Sequence, residues 1–232
     1  FTFLSLEDAK KLQQAITPES RVLIVGAGLI GLKCAEGIHK KVGGITVIDL
    51  APRILSSILD EEGAMRVQQH IEKFGVRFLL SCSVKKFDGN KALLSNGDTL
   101  DFDILVMAVG VRANTDLVRN IGGNVNRGII TDACMETSIP DIYAAGDCTE
   151  SMDTSADMNR VLALLPNASM QGECAGINMA GGKKTFCKAI PMNAIGFMGL
   201  HMITAGSYVG EAHAEPEAGS YKKLFVKDGL LK

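Results

Sequence analysis

Tryptophan is absent from this chain, and neither sign of charge dominates it. Lys and Arg number 24 against 26 Asp and Glu, for a formal net charge of -2. That balance removes the electrostatic reason to expect nucleic acid or an anionic membrane as a partner. Six cysteines are present, but none forms a C-x-x-C pair and none has zinc-ligand spacing with a histidine. Cys34, Cys82, Cys134, Cys148, Cys174 and Cys187 therefore read as buried or half-buried thiols of a reducing cytosol. His39, His70, His201 and His213 lie far apart, so no metal site and no catalytic histidine is expected. No apolar run is long enough to span a bilayer. The opening run, Phe1 to Leu6, has no basic leader and no cleavage site. The expectation is a cytoplasmic protein. Repeats and low-complexity segments are also lacking.

Glycine, by contrast, is abundant, at 25 of 232 residues. Apolar residues make up 47% and charged residues 22%, enough to build a globular core of one large or two small domains. Many glycines with few aromatics suit an α/β protein whose backbone approaches phosphates closely.

The order of elements follows from periodicity and punctuation. Phe1 to Leu6 reads as a strand and Glu7 to Ala15 as a helix capped by Ser5. Arg21 to Val25 is a short apolar run of the kind found in buried parallel strands. Leu29 to Lys40 reads as a helix, Gly43-Gly44 as its end, and Ile45 to Asp49 as the next strand. Together these make a βαβ unit of the usual size. Asp60 caps a second helix, Glu61 to Phe74, closed by Gly75, and Val76 to Leu80 is a third strand. Turns at Asp88-Gly89-Asn90 and Asn96-Gly97-Asp98 predict a small antiparallel meander. Phe102 to Val109 returns as a buried strand. Beyond it lie a loop-rich stretch with a short strand at 128–131, a strand at 142–145 and a helix at 168–179. Strand-like runs follow from Ala189, and the last residues read as a hairpin whose second strand has barely begun. Both ends read as cut, so the chain is expected to be an internal fragment of a longer protein.

Two motifs carry chemistry. The first is Gly26-x-Gly28-x-x-Gly31 between a strand and a helix. Gly26 permits the tight turn, Gly28 lets a pyrophosphate touch backbone, and Gly31 lets the helix pack on the strand. Free N–H groups of Leu29 and Ile30 at the helix start then face the phosphates. Gly26, Ala27, Gly28, Leu29, Ile30 and Gly31 together form the candidate cradle. Alone such a motif is weak; here a strand precedes it, a helix follows, and Asp49 ends the next strand. A carboxylate there accepts hydrogen bonds from an adenosine ribose and repels a 2′-phosphate, which favours NAD(H) over NADP(H). Leu50 and Arg53 follow it in the candidate site. Arg53 fits either a softening of that preference or a solvated loop residue.

The second motif runs from Thr137 to Asp147 and ends in Ala144-Ala145-Gly146-Asp147. By physics alone it supports two readings: a polar ligand at a strand end, or a capping aspartate. The three segments Gly26–Gly31, Leu105–Thr115 and Thr137–Asp147, in this order and spacing, resemble the pyridine-nucleotide-disulfide oxidoreductase superfamily. The resemblance covers nearly the whole chain. It is greatest to the NADH oxidase, rubredoxin reductase and nitrite reductase flavoprotein group. It implies FAD as a second cofactor, with Gly146 and Asp147 on its ribityl–pyrophosphate chain. It also implies that Val109 and Gly110 lie beside the nicotinamide, and that the helix around Ala168 points its N-terminus at the flavin. The family's first FAD motif and its redox-active cysteines would precede Phe1. Leu29 and Lys33 depart from the family's common aromatic and glutamate, so no gating residue is carried over.

The resemblance therefore implies an α/β fold. A Rossmann-like NAD(H)-binding domain with an antiparallel meander (1–110) is inserted in a partial FAD/NAD(P)-binding domain (111–182). The start of an α+β interface domain (183–232) follows. The implied enzyme moves hydride from NADH to FAD and then to an unidentified acceptor, a protein or a small molecule. It needs no catalytic acid or base, and a homodimer is compatible with it. A flavin-free Rossmann dehydrogenase would need a tyrosine–lysine pair, and Tyr143, Tyr208 and Tyr221 lack that spacing. The alternative is an NAD(H)-binding module without turnover, for want of the N-terminal FAD segment.

Overall fold

The molecule is described by a computed structural model covering residues 1–187, 189–217 and 219–232. Val22, Leu23 and Ile24 are apolar in succession, as a strand covered on both faces requires. They form the centre of β1 (Arg21–Val25), flanked by β2 (Gly44–Ile48) and β7 (Ile104–Met107), with β3 (Val76–Leu79) outermost. All pairings in this sheet are parallel. The register sets Val22 beside Ile45 and Ile45 beside Val76, so one face carries these side chains. That face packs against α1 (Leu6–Ala15), α2 (Leu29–Ile38) and α3 (Glu61–Glu72) through Leu12, Leu32, Ala35, Val67 and Ile71. Leu23 and Ile48 face the other way. They meet Ala92, Leu94 and Phe102 of the meander β4 (Val84–Asp88), β5 (Lys91–Leu94) and β6 (Thr99–Asp101) and its exit.

Helix boundaries follow their caps. Ser5 accepts from the Asp8 amide at 3.1 Å while Asp8 accepts from the Ser5 amide at 3.2 Å, a reciprocal capping box. Asp60 accepts from the Gly63 amide at 3.0 Å, and Gly75 closes the helix at φ +82°. The box also explains a correction at the chain start. Leu6 already belongs to α1, and only Thr2 bridges to Met107, so the expected strand from Phe1 to Leu6 is a single bridge.

The chain forms two compact units: Phe1–Gly110 with Ala194–Met202, and Val111–Asn193 with Ile203–Lys232. In the first unit, the tip of the hairpin β11 (Met192–Phe197)–β12 (Leu200–Ala205) packs on the helices. Upstream of this hairpin the chain forms α4 (Asp116–Arg119), β8 (Ile129–Ile130), β9 (Thr149–Asp153), β10 (Met158–Val161) and α5 (Leu165–Met179). Phe197 is buried in the helix-side core, and the Met198 amide donates to Glu36 Oε1 at 2.6 Å. Lys33 donates to the Gly196 carbonyl at 2.5 Å.

The second unit holds the three-stranded sheet β10-β9-β8, α5, and a sheet of β13 (Glu211–Glu217), β14 (Ser220–Lys227) and β15 (Leu230–Leu231). Two corrections arise here. The expected strand at 142–145 is a single bridge from Tyr143 to Glu136, held by amides of Thr137 and Ala144. Residues 149–153, by contrast, form a largely buried strand that hydrophobic patterning misses. Its polar side chains are satisfied internally: Glu150 accepts from the Arg127 and Gly128 amides at 2.7 and 2.9 Å. Asp153 pairs with Arg160 and accepts from Ser155. All six cysteines are free; Cys34, Cys82 and Cys174 are buried, while Cys187 is exposed, contrary to expectation. Among the described residues no helix is long and apolar enough to cross a membrane.

Candidate functional site

The carboxyl edge of the parallel sheet gathers the first set of predicted residues. Each glycine of the motif has a different steric reason. Gly26 sits at φ +115°, and a Cβ on it would lie 2.2 Å from the Ala108 carbonyl oxygen. A Cβ on Gly31 would lie 2.0 Å from the Gly26 oxygen. The turn, the helix start and the end of β7 are thus packed backbone to backbone, and only glycine fits. Gly28 differs. It has no positive φ, and a Cβ there would meet nothing within 4 Å. Protein packing does not require glycine at that position; an approaching ligand would.

Gly28 is also the N-cap of α2 and has no side chain with which to cap it. The first helical residues, Leu29, Ile30 and Gly31, therefore start a helix whose amino end is open to an anion. Asp49 lies directly beside this turn. Its Oδ2 accepts from the Ala27 amide at 2.6 Å and its Oδ1 from the Ala51 amide at 2.8 Å. Each carboxylate oxygen keeps further lone-pair capacity. The Ala27 carbonyl in turn accepts from the Leu55 amide at 2.9 Å. Leu50 is exposed beyond Asp49. Val109 and Gly110 are exposed at the end of β7, with Gly110 at φ +103°.

Arg53 turns into its own loop. Its guanidinium donates to the Leu59 and Ser56 carbonyls at 3.4 and 3.3 Å. Lys33 is likewise engaged, with Glu36 at 2.7 Å and over the Phe197 ring at 5.1 Å.

The second set lies in the second unit. Gly146, at φ +85°, turns the chain so that Asp147 is exposed in a turn rather than at the end of a strand. A Cβ on Gly146 would touch Ala168 of α5 at 3.6 Å, an ordinary contact. The residue that sequence reasoning left without a role is Gln171. It is 2% exposed, and its Oε1 accepts from the Gly146 amide at 2.7 Å and from Thr149 at 3.2 Å. Its Nε2 donates to Ser151 at 3.0 Å. Gln171 falls on the same helix face as Asn167, Cys174 and Ala175, which are also buried, and that spacing was the available signal. α5 has no side-chain cap and carries a proline in its first turn, so its amino end is also open. Among the described residues no group of three or more His, Cys, Asp or Glu is placed to hold a metal ion.

Fold and site together define a mixed α/β protein with an uncapped, glycine-rich helix start at the carboxyl edge of a parallel sheet. The family described as pyridine nucleotide-disulphide oxidoreductase matches residues 1–172, and the chain belongs to that family. Its members use FAD and NAD(H). The chain is 31% identical over 240 residues to the NADH-dependent phenylglyoxylate dehydrogenase subunit epsilon of Aromatoleum evansii, covering 98% of this chain and 57% of that one. It is 34% identical over 192 residues to an NADH oxidase of Methanocaldococcus jannaschii, covering 80% and 43% respectively. The solved structure of a NAD-dependent persulfide reductase from A. fulgidus superposes with a TM-score of 0.86 at 26% identity, over 98% of this chain and 47% of that one. The chain thus spans about half the length of the curated relatives it matches.

Proposed function

We propose that this chain is the NAD(H)-binding part, and one segment of the FAD-binding part, of an NADH-dependent flavin oxidoreductase. When bound, the nicotinamide supplies a hydride, and the flavin accepts it and passes electrons to a second acceptor. The chain's own residues bind and orient. The amino end of α2 and the backbone at Gly28 hold the pyrophosphate, while Gly26 and Gly31 keep that edge close-packed. Asp49 keeps the cradle in shape through the Ala27 amide and offers its free lone pairs to the adenosine ribose. Leu50 and Gly110, with Val109, border the same edge, and Arg53 braces the loop behind it. In the second unit, Gly146, Asp147 and the amino end of α5 at Ala168 serve the flavin, with Gln171 holding the turn.

On this reading residues 1–110 form the NAD(H)-binding domain, 111–182 a segment of the FAD-binding domain, and 183–232 part of an α+β interface domain. The observation that carries it is the contrast between Gly28, open on all sides, and Gly26 and Gly31, closed against backbone. The activities named for the relatives differ, so the acceptor is not a property of this scaffold. The enzyme reading, rather than a module without turnover, is supported by relatives named for NADH-dependent activities that align along most of the chain.

The test has two readouts on the full-length protein. A yellow protein whose flavin bands bleach with NADH and return with an acceptor supports the reading. A colourless protein, or one reduced by NADPH but not NADH, sinks it.

A further inference from the structure

At the amino edge of the parallel sheet, opposite the nucleotide cradle, lies a cavity of about 260 Å³. Its floor is set by register. Leu23 pairs with Thr46 and Thr46 with Arg77, so these three share the meander-side face; Arg21 and Gly44 form the next row outward. The walls include Leu100, Asp101 and Phe102 of the meander.

Gly44 makes the space. It opens β2, and a glycine in a strand leaves no side chain to pack. It has no positive φ, and a Cβ on it would meet nothing within 4 Å. Neither backbone conformation nor packing calls for glycine there, which is the same situation as Gly28 in the cradle.

The charges around this cavity are not equivalent. Arg21 is spent on Asp103, with Nε and Nη2 at 3.0 and 2.8 Å from its two oxygens, and its Nη1 is 3.9 Å from Asp101. Arg77 makes no side-chain hydrogen bond or ion pair among the described residues. Its planar fork matches a carboxylate bidentately. Thr46, one strand over, adds a hydroxyl, and the half-buried Leu100 adds apolar surface beside the buried Leu23 and Phe102. A few convergent polar groups within apolar walls is the general form of a small-ligand site. The volume falls just under the roughly 300–1,000 Å³ of drug-sized pockets, which excludes a dinucleotide.

We propose that this groove is a second ligand site, separate from the nucleotide site, for a small monocarboxylate with an apolar body. Arg77 takes the carboxylate, Thr46 donates its hydroxyl, and the apolar body lies over Gly44 against Phe102.

Benzoate is the probe, titrated into the 232-residue chain while backbone amide resonances are followed. The expected result is saturable shifts centred on Gly44, Thr46 and Arg77. Benzamide, which has the ring but no charge, should bind at least tenfold more weakly. Arg77→Ala should weaken benzoate at least tenfold, and Gly44→Leu, which fills the floor, should abolish the shifts. If Gly44→Leu fails to give a folded spectrum, Arg77→Ala decides alone. Shifts that scatter without saturating, or that persist unchanged in Arg77→Ala, would overturn the proposal. Because neither residue touches the cradle, this result is independent of NADH titration.

Discussion

The Asp49 carboxylate holds the Ala27 amide at 2.6 Å, so the acid proposed to read the ribose also braces the glycine-rich turn. Removing it should therefore have two effects. Asp49→Ala is expected to weaken NADH binding at least tenfold and to narrow the preference over NADPH, measured by titrating both nucleotides. It should also cost about 1–3 kcal/mol in urea unfolding, since two amides lose a charged acceptor. Asp49→Asn keeps one acceptor oxygen but sets its NH2 against the other amide, so it should recover only part of the stability. A variant with unaltered nucleotide preference would show that Asp49 does not face the ribose.

The glycines of the cradle should separate stability from binding. Gly31→Ala drives a methyl group onto the Gly26 carbonyl and should destabilise by about 3 kcal/mol. Gly28→Ala meets no atom and should cost at most about 1 kcal/mol, through its poorer N-cap. Yet Gly28→Ala should lose NADH affinity by at least tenfold, because its methyl occupies the space left for the phosphates. Equal NADH affinity in Gly28→Ala and the parent would refute the placement of the pyrophosphate there.

Gln171 gives the flavin side its test. Gln171→Leu strips the acceptor from the half-buried Gly146 amide and should cost about 1–3 kcal/mol. In the full-length protein it should also lower the fraction of chains that retain flavin, read from the ratio of visible to ultraviolet absorbance. A destabilised variant with full flavin content would leave Gln171 a purely structural residue.

The acid limb of stability should carry a contribution from Arg21 and Asp103. The paired guanidinium holds the Asp103 carboxyl down at about 2, below the ordinary value near 3.9. A carboxyl depressed in the folded state stabilises above its unfolded value and loses that contribution as pH falls. The loss should therefore run from about pH 4 to pH 2. Asp103→Asn should flatten this part of the stability profile, followed by circular dichroism at stepped pH. An unchanged slope between pH 4 and 2 would show that the pair does not form in solution.

Much of the first unit was legible in the sequence because its signals are local. Ser5 and Asp60 announce helix starts within three residues, and the Gly26–Gly31 motif spans a single turn. The unbroken apolar run Val22–Ile24 and the Asn96-Gly97 turn place the sheet and the meander. The second unit was less legible because its chemistry runs against hydrophobic patterning. Thr149–Asp153 shows no apolar pattern, yet it is a largely buried strand, since Glu150 and Asp153 find their partners within the fold. The run at 142–145 looks like a strand, yet it meets only a loop.

What the sequence determined by itself, then, was a βαβ unit with a phosphate cradle and an acid at the next strand end. Only the tertiary structure decided that Asp49 grips the Ala27 amide across 22 positions, that Gln171 holds Gly146 across 25, and that Met198 docks on Glu36 across 162. Caps and turns are made by neighbours in the chain, so their partners can be read from spacing. These longer pairings depend on which faces the packed sheet and helices bring together. No local pattern encodes that choice.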